Sequence, residues 1–241
     1  MKVLISGASR GIGRSLCQEG VRRGWSVQAM VRKQSDIPTG CEGHLVDVRD
    51  RPRVKAILEK LAPEIDCFLI NAGVGNSLSP RRIESAEQAV EILDINTTAA
   101  VYSAYVISYE WIRRGLKGKR IAIVSSLAAG RGLPRNGVYI ASKTALISFF
   151  QGFELDVAKH GIEISVILPG FIDTDMTKDL LKRPYLMTAE QAAQTILNGL
   201  EQGKRIIAFP KSLVWIARIR DSLPYGLFRW IVIQLQKRKI V

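Results

Sequence analysis

Tyr139 and Lys143 stand four residues apart in a segment with helical apolar spacing, so their side chains share one helix face and the ammonium can approach the phenol. A positive charge beside a phenol favours the phenolate and lowers a pKa that is ordinarily about 10, bringing the group into acid/base range. A second stretch with chemical content lies at the N-terminus. There an apolar run, Val3-Leu4-Ile5, feeds Ser6-Gly7-Ala8-Ser9-Arg10-Gly11-Ile12-Gly13 and then a helical pattern. Glycines in such a strand–turn–helix let the backbone turn tightly and approach a pyrophosphate. The helix N-terminus adds free N–H groups and a partial positive charge. The expectation is a dinucleotide on this turn and a proton-transfer pair further along. Taken singly, each stretch also fits a plainer account: a tight turn that binds nothing, and a solvated helix face.

The end of the second expected strand separates the two nicotinamide dinucleotides. Sites for NAD usually place an acidic residue there for the ribose 2′-OH, whereas an arginine accommodates a 2′-phosphate. This chain reads Met30-Val31-Arg32-Lys33, without a carboxylate, and Arg10 inside the glycine turn is a second cation within reach of that phosphate. NADP(H) is therefore the expected cofactor, against the plainer reading of Arg32 and Lys33 as ordinary solvated charges.

The elements that must position these residues follow from periodicity. Strands are expected over 2–6, 25–31, 44–48, 66–70, 119–125, 162–168 and 205–209. Helices are expected over 12–23, 54–61, two segments within 84–115, 139–160 and 188–202, with Gly24, Pro63, Gly115 and Gly161 ending four of them. Alternation of this kind implies parallel strands joined by right-handed crossovers: an α/β fold, a Rossmann-type doubly wound parallel sheet in a single domain.

The joint order and spacing of Gly7-x3-Gly11-x-Gly13, Asn71-Ala72-Gly73, Ser126, Tyr139-x3-Lys143 and Pro169-Gly170 resembles the short-chain dehydrogenase/reductase family over roughly residues 1–209. The resemblance implies a catalytic set of Ser126, Tyr139, Lys143 and Asn96. Ser126, with the neighbouring Ser125 as its rival, would hydrogen-bond the substrate oxygen. Tyr139 would give or take its proton, Lys143 would tune the tyrosine and hold the nicotinamide ribose, and Asn96 would position a water in the proton relay. It also implies that Gly7, Ser9, Arg10, Gly11, Ile12 and Gly13 cradle the cofactor with Arg32. Asp47 and Val48 would contact the adenine, and Asn71, Ala72 and Gly73 would line the cleft. Pro169, Gly170, Ile172 and Thr174 would hold the nicotinamide carboxamide. The family often carries two asparagines before Ala-Gly, where this chain has Ile70-Asn71.

The function so implied is NADP(H)-dependent hydride transfer to or from a carbonyl or secondary alcohol of a small molecule, expected to be lipophilic. The alternative from another class is an NADP(H)-binding regulator or membrane-associated interaction protein that keeps the fold without catalysis. The family also suggests a homodimer or homotetramer through the helices at 96–115 and 139–160.

Composition narrows the field further. Hydrophobic residues make up 47% and charged residues 24% of the 241 positions, which excludes a disordered chain. Cys17, Cys41 and Cys67 lie far apart and form no CxxC pair, and only His44 and His160 are present, so no disulfide framework and no metal site is expected. The first strand begins essentially at Met1 and no apolar run approaches the roughly 20 residues of a bilayer-spanning helix, so a cytoplasmic protein is expected.

The net charge of +13 is concentrated in the tail: residues 204–241 hold nine Lys or Arg and one acid. Leu213, Trp215, Ile216, Ile219, Phe228 and Trp230 interleave with those cations before Lys237-Arg238-Lys239. Residues 210–241 are thus expected to form a basic amphipathic extension to a catalytic domain over 1–209. Its apolar side would pack on the body or a neighbouring subunit, or make peripheral contact with an anionic membrane through 211–241. No nucleic-acid motif accompanies the charge, and no nucleic-acid partner is expected.

Overall fold

The computed structural model describes residues 1–75, 85–178 and 183–237. Leu180, which the sequence offers with Leu133, Phe171 and Met176 as an apolar residue of the loops 127–137 and 171–187 expected to form a substrate pocket, and the Arg238-Lys239 end of the tail lie outside the described residues.

The strands are β1 (Lys2–Ser6), β2 (Ser26–Val31), β3 (Glu42–Leu45), β4 (Cys67–Ile70), β5 (Lys119–Val124), β6 (Ile162–Pro169), β7 (Ile172–Asp173), β8 (Met187–Thr188) and β9 (Ile206–Phe209). The helices are α1 (Gly11–Arg22), α2 (Arg51–Leu61), α3 (Ala86–Leu93), α4 (Ala99–Arg113), α5 (Gly137–Val157), α6 (Ala189–Glu201), α7 (Lys211–Ser222) and α8 (Tyr225–Lys237). Among the described residues seven strands form one sheet in the order β3-β2-β1-β4-β5-β6-β9, every neighbouring pair parallel. The chain winds outward from β1 in both directions, so the ends of β1 and β4 flank the point where strand order reverses, the usual place for a ligand crevice.

Side chains alternate across a strand, and the two sheet faces carry separate cores. Leu4, Phe68, Ile70, Ile121 and Ile123 pack with Leu58, Trp111, Leu146 and Phe150 beneath α2, α4 and α5. Val3, Ile5, Cys67, Leu69 and Ala122 pack with Leu16, Ala193, Ile196 and Leu197 beneath α1 and α6. Local signals set the helix starts: Ser85 and Gln88 form a capping box on α3, Thr188 and Gln191 form another on α6, and Asp50 caps α2.

Three differences from the periodicity reading bear on the site. β3 runs over Glu42–Leu45, displaced toward the N-terminus, because residues 42–45 are the ones that pair with Gln28–Val31 of β2. Asp47 and Val48 consequently fall in the loop beyond the strand. The join between α3 and α4 is a π-helical turn over Asp94–Thr98, a local widening that no apolar spacing announces. Residues 171–187 are expected from the sequence as a polar segment before the helix at 188–202, yet Ile172–Asp173 (β7) pairs with Met187–Thr188 (β8).

Candidate active site

The N-terminal turn owes its shape to contacts only glycine permits. A Cβ on Gly7, which has a φ of +67°, would lie 2.6 Å from the Ala72 Cα, and one on Gly13 would lie 2.1 Å from the Gly7 carbonyl oxygen. Asn71 fastens this turn to β4 and β1: its side-chain amide donates to the carbonyls of Ser6 (3.2 Å) and Gly7 (3.1 Å). The Ser6 hydroxyl accepts from the backbone N–H groups of Asn71 and Ala72, a bracing role the sequence did not single out. The resulting cleft is walled by Gly7, Ser9, Arg10, Gly11, Ile12 and Gly13 on one side and by Arg32, Asp47, Val48, Asn71, Ala72, Gly73 and Thr174 around it. It also takes in Met30, Val31, Val74, Ile95, Asp175 and Met176.

Charge on this cleft is uneven. Arg32 is exposed on the wall, and Arg10 is two-thirds exposed with only a 3.8 Å ion pair to Asp175. The one acid near the end of β3, Asp47, accepts from the Arg49 guanidinium (2.8 and 3.0 Å) and backbone N–H (2.9 Å). The Arg49 contact holds its carboxyl down to about 2. Two cations therefore face the cleft, and that carboxylate is already paired.

The second cluster is built where β5 ends and α5 begins. The Ser125 hydroxyl donates to the Lys143 carbonyl at 2.7 Å, so of the two serines Ser125 ties the strand to the helix, while Ser126 lines a cavity together with Tyr139. The Ser126 hydroxyl accepts from the Ala128 N–H at 3.0 Å. Lys143 is buried and its ammonium donates to the Val124 carbonyl at 3.0 Å; burial lowers its pKa to about 8. Asn96 is fully buried in the π-helical turn, accepts from the Val74 N–H (2.7 Å) and donates to the Val74 carbonyl (2.9 Å) and the Ser142 hydroxyl (3.0 Å). A Cβ on Gly73 would stand 3.2 Å from Asn96 Oδ1 and 3.3 Å from Lys143 Nζ, so Gly73 leaves room between them.

One expectation from the sequence is corrected here. The Tyr139 phenol is raised above its ordinary value, not lowered: burial dominates, and only the Ser126 hydroxyl pulls it back. The four-residue spacing puts the ammonium and the phenol on neighbouring turns, but the ammonium donates to a main-chain oxygen, and desolvation of the phenol decides the sign.

A second cavity of about 280 Å³ adjoins the nucleotide cleft and shares Met176 with it. Ser126 and Tyr139 open onto it, and its walls are mostly apolar: Leu127, Leu133, Phe171, Leu213, Ile216 and Ala217, with Arg220 at the edge. The last four come from α7, so the tail packs on the body at this point. Of the residues expected at the nicotinamide, Thr174 borders the nucleotide cleft and Gly170 borders the apolar cavity. Pro169 accepts from the Leu127 N–H (2.9 Å), and Ile172 is 3% exposed inside the core, so neither side chain forms a wall of the two cavities.

The family profile described as short chain dehydrogenase matches residues 1–184. The chain belongs to the short-chain dehydrogenase family. Among its relatives is an uncharacterized oxidoreductase of Myxococcus xanthus (strain DK1622), 30% identical over 239 residues and covering 93% of each chain. An 11-beta-hydroxysteroid dehydrogenase-like 2 of Arabidopsis thaliana is 28% identical over 92% of this chain and 77% of its own. In fold, the dehydrogenase is similar to the crystal structure of a short chain dehydrogenase from Burkholderia cenocepacia J2315 in complex with NADP. The TM-score is 0.81, with 22% identity over 92% of this chain and 98% of that one.

As an oxidoreductase of this family, the dehydrogenase presents a glycine cradle and a hydroxyl pair on adjoining cavities. Sequence reasoning missed Ser6, Ser142 and Arg220. Ser142 and Ser6 carried a signal, since they lie one residue before Lys143 and Gly7; Arg220 is joined to the site only by folding. Among the described residues no cluster of His, Cys, Asp or Glu could hold a metal ion, and no helix is long and apolar enough to cross a membrane.

Proposed function

We propose that the dehydrogenase transfers a hydride between NADP(H) and a carbonyl or secondary alcohol of a lipophilic small molecule. The observation that carries this reading is that Ser126 and Tyr139 open onto an apolar cavity joined at Met176 to the glycine-walled cleft. The cleft suits a dinucleotide because the turn closes only with glycine at 7 and 13, where a Cβ would strike Ala72 and the Gly7 carbonyl, and this tight turn puts the N-terminus of α1 on the cleft wall. Arg10 and Arg32 suit a 2′-phosphate, and Asp47, held by Arg49, does not compete for a 2′-OH. The NADP carried by the Burkholderia cenocepacia relative supports the same choice. Gly7, Ser9, Arg10, Gly11, Ile12 and Gly13 would hold the pyrophosphate side, Asp47 and Val48 the adenine, and Asn71, Ala72, Gly73 and Thr174 the remainder. When bound, the nicotinamide supplies or accepts the hydride.

The chain's own groups do the rest. Ser126 orients and polarises the substrate oxygen, and Tyr139, kept as a phenol by burial, delivers the proton during reduction. Lys143 brings a buried positive charge close to the ribose side. Asn96 holds the Val74 backbone and Ser142 beneath it, which fixes the floor on which a relay water would sit. NADPH consumption across a panel of aliphatic and aryl ketones, aldehydes and alcohols, run with wild type and Tyr139→Phe, tests this. Turnover that survives the substitution overturns the role of Tyr139. NADPH binding without turnover of any compound favours the non-catalytic alternative.

The steroid-related name of the Arabidopsis relative and the apolar walls support a lipophilic substrate. Residues 1–209 form the catalytic unit in this reading, and 210–241 an extension whose helix α7 closes the substrate side. Tyr105, Tyr109 and Leu155 leave an apolar face exposed on α4 and α5, which supports self-association there. On α7 and α8, Trp215, Ile219, Tyr225 and Trp230 are exposed beside Arg218 and Arg229, a composition that fits an anionic bilayer surface. Sedimentation with phosphatidylserine-containing vesicles should fall severalfold in the Trp215→Ser, Trp230→Ser double variant, and equal sedimentation would remove the membrane from this account.

A further inference from the structure

Three consecutive main-chain carbonyls after Ser126 converge on a single side chain of the tail. The Arg220 guanidinium donates to the carbonyls of Leu127 (3.3 Å), Ala128 (3.3 Å) and Ala129 (2.5 Å), and its remaining N–H groups meet Asp221 at 2.8 and 2.9 Å. The side chain is only 16% exposed, so its carbonyl contacts are partly shielded from water, and a charged donor is worth about twice a neutral one. The loop closes on the tail from its own side as well. Arg131 donates to Asp221 through its backbone N–H (3.4 Å) and, at the Asp221 carbonyl, through its guanidinium (3.1 Å), and it lies over the Phe228 ring at 5.2 Å. Gly130 permits the approach: at φ +116° it lacks the Cβ that would stand 2.7 Å from Asp221 and 2.8 Å from Arg220.

We infer that Arg220 is a positioning residue for the reaction: from the C-terminal helix α7 it fixes the 127–129 backbone and thereby the Ser126 hydroxyl and the rim of the substrate cavity. The link to Ser126 is direct. Its hydroxyl accepts from Ala128 N–H at 3.0 Å and its carbonyl from Ala129 N–H at 3.2 Å, so the residues gripped by Arg220 are those that orient Ser126. The other anchors of this loop come from the body: Leu127 N–H donates to Pro169 and Gly130 N–H to Thr144. From beyond residue 209 come Arg220, which grips the carbonyls of 127–129, and Asp221 and Phe228, which meet Arg131. The tail is thereby part of the active site and not an appendage to it.

This inference rests on the proposed role of Ser126, and its test separates the two. In the full-length protein, hydrogen exchange at the amides of 127–131 should accelerate in Arg220→Gln, return part-way in Arg220→Lys, and accelerate again in Gly130→Ala. Amides of the glycine turn and the NADPH affinity should stay unchanged. With any ketone of the panel that wild type reduces, Arg220→Gln should lower kcat by between about ten- and a hundredfold, the range for a displaced catalytic group, with a smaller change in KM. Unchanged exchange at 127–131 overturns the inference, as does a rise in KM with kcat intact, which would make Arg220 a cavity wall only. If wild type reduces nothing in the panel, the proposed function fails while the exchange comparison still decides whether Arg220 holds the loop.

Discussion

The two adjoining cavities of this dehydrogenase are made by opposite means. The nucleotide cleft is mainly backbone: glycines that admit close approach, a helix N-terminus and a few side chains at strand ends, drawn largely from the first 73 residues. The cavity proposed for the substrate is mainly apolar side chain, assembled from the loop after β5, the start of α5, the segment after β6 and the tail helix α7. A backbone site recognises what all its ligands share, here phosphates and ribose. A side-chain site can be refitted by changing residues that carry little of the fold. Function that distinguishes one dehydrogenase from another therefore belongs to the second cavity.

That contrast can be broken at the seam. Tyr139→Phe removes the proposed proton donor without touching the glycine cradle, and carbonyl turnover should fall by about a thousandfold while NADPH affinity holds. Stopped turnover with lost NADPH binding would mean that the two cavities are not separable at Tyr139. A smaller effect sharpens the other side. Arg32→Ala should weaken NADPH binding by about ten- to a hundredfold, the worth of a charge-assisted phosphate contact, with NADH affinity and carbonyl KM little changed. Fluorescence titration with both nucleotides checks it, and equal losses for NADPH and NADH would take Arg32 off the 2′-phosphate.

The smallest expected effect is on pH. Burial places the Lys143 ammonium at about 8, whereas burial raises Tyr139, so the lysine loses its proton first as pH rises. Reductive kcat should hold below that value and decline severalfold above it. A flat profile across the range would show that the charge on Lys143 is not required. The same shift has a stability counterpart. An unfolded lysine keeps its proton up to its ordinary 10.5, so between about 8 and 10.5 the unfolded chain binds more protons and folding stability rises with pH.

The doubly wound sheet was legible because β1, β2, β4, β5, β6 and β9 are short apolar runs between helical periods. Burial on both sheet faces leaves little choice of residue. The glycine turn was legible because close backbone approach demands glycine at given positions, and Gly13, with a Cβ site 2.1 Å from the Gly7 carbonyl, bears the demand most plainly. The end of β3 was misplaced because pairing with β2, a partner distant in sequence, set its limits. The π-helical turn at Asn96 was missed because its five residues, Asp94-Ile95-Asn96-Thr97-Thr98, hold a single large apolar side chain, too few to register a change of period.

The sequence by itself determined the residue types that could do chemistry: the glycine turn, the cations at Arg10 and Arg32, and the Tyr139–Lys143 pair at helical spacing. Tertiary structure decided their physical states. It pushed the Tyr139 phenol up instead of down, since burial depends on what covers a residue, and it tied Ser125 rather than Ser126 to Lys143. It also brought Arg220 from α7 onto the loop after Ser126, a contact across 91 residues for Ala129 that no local pattern encodes.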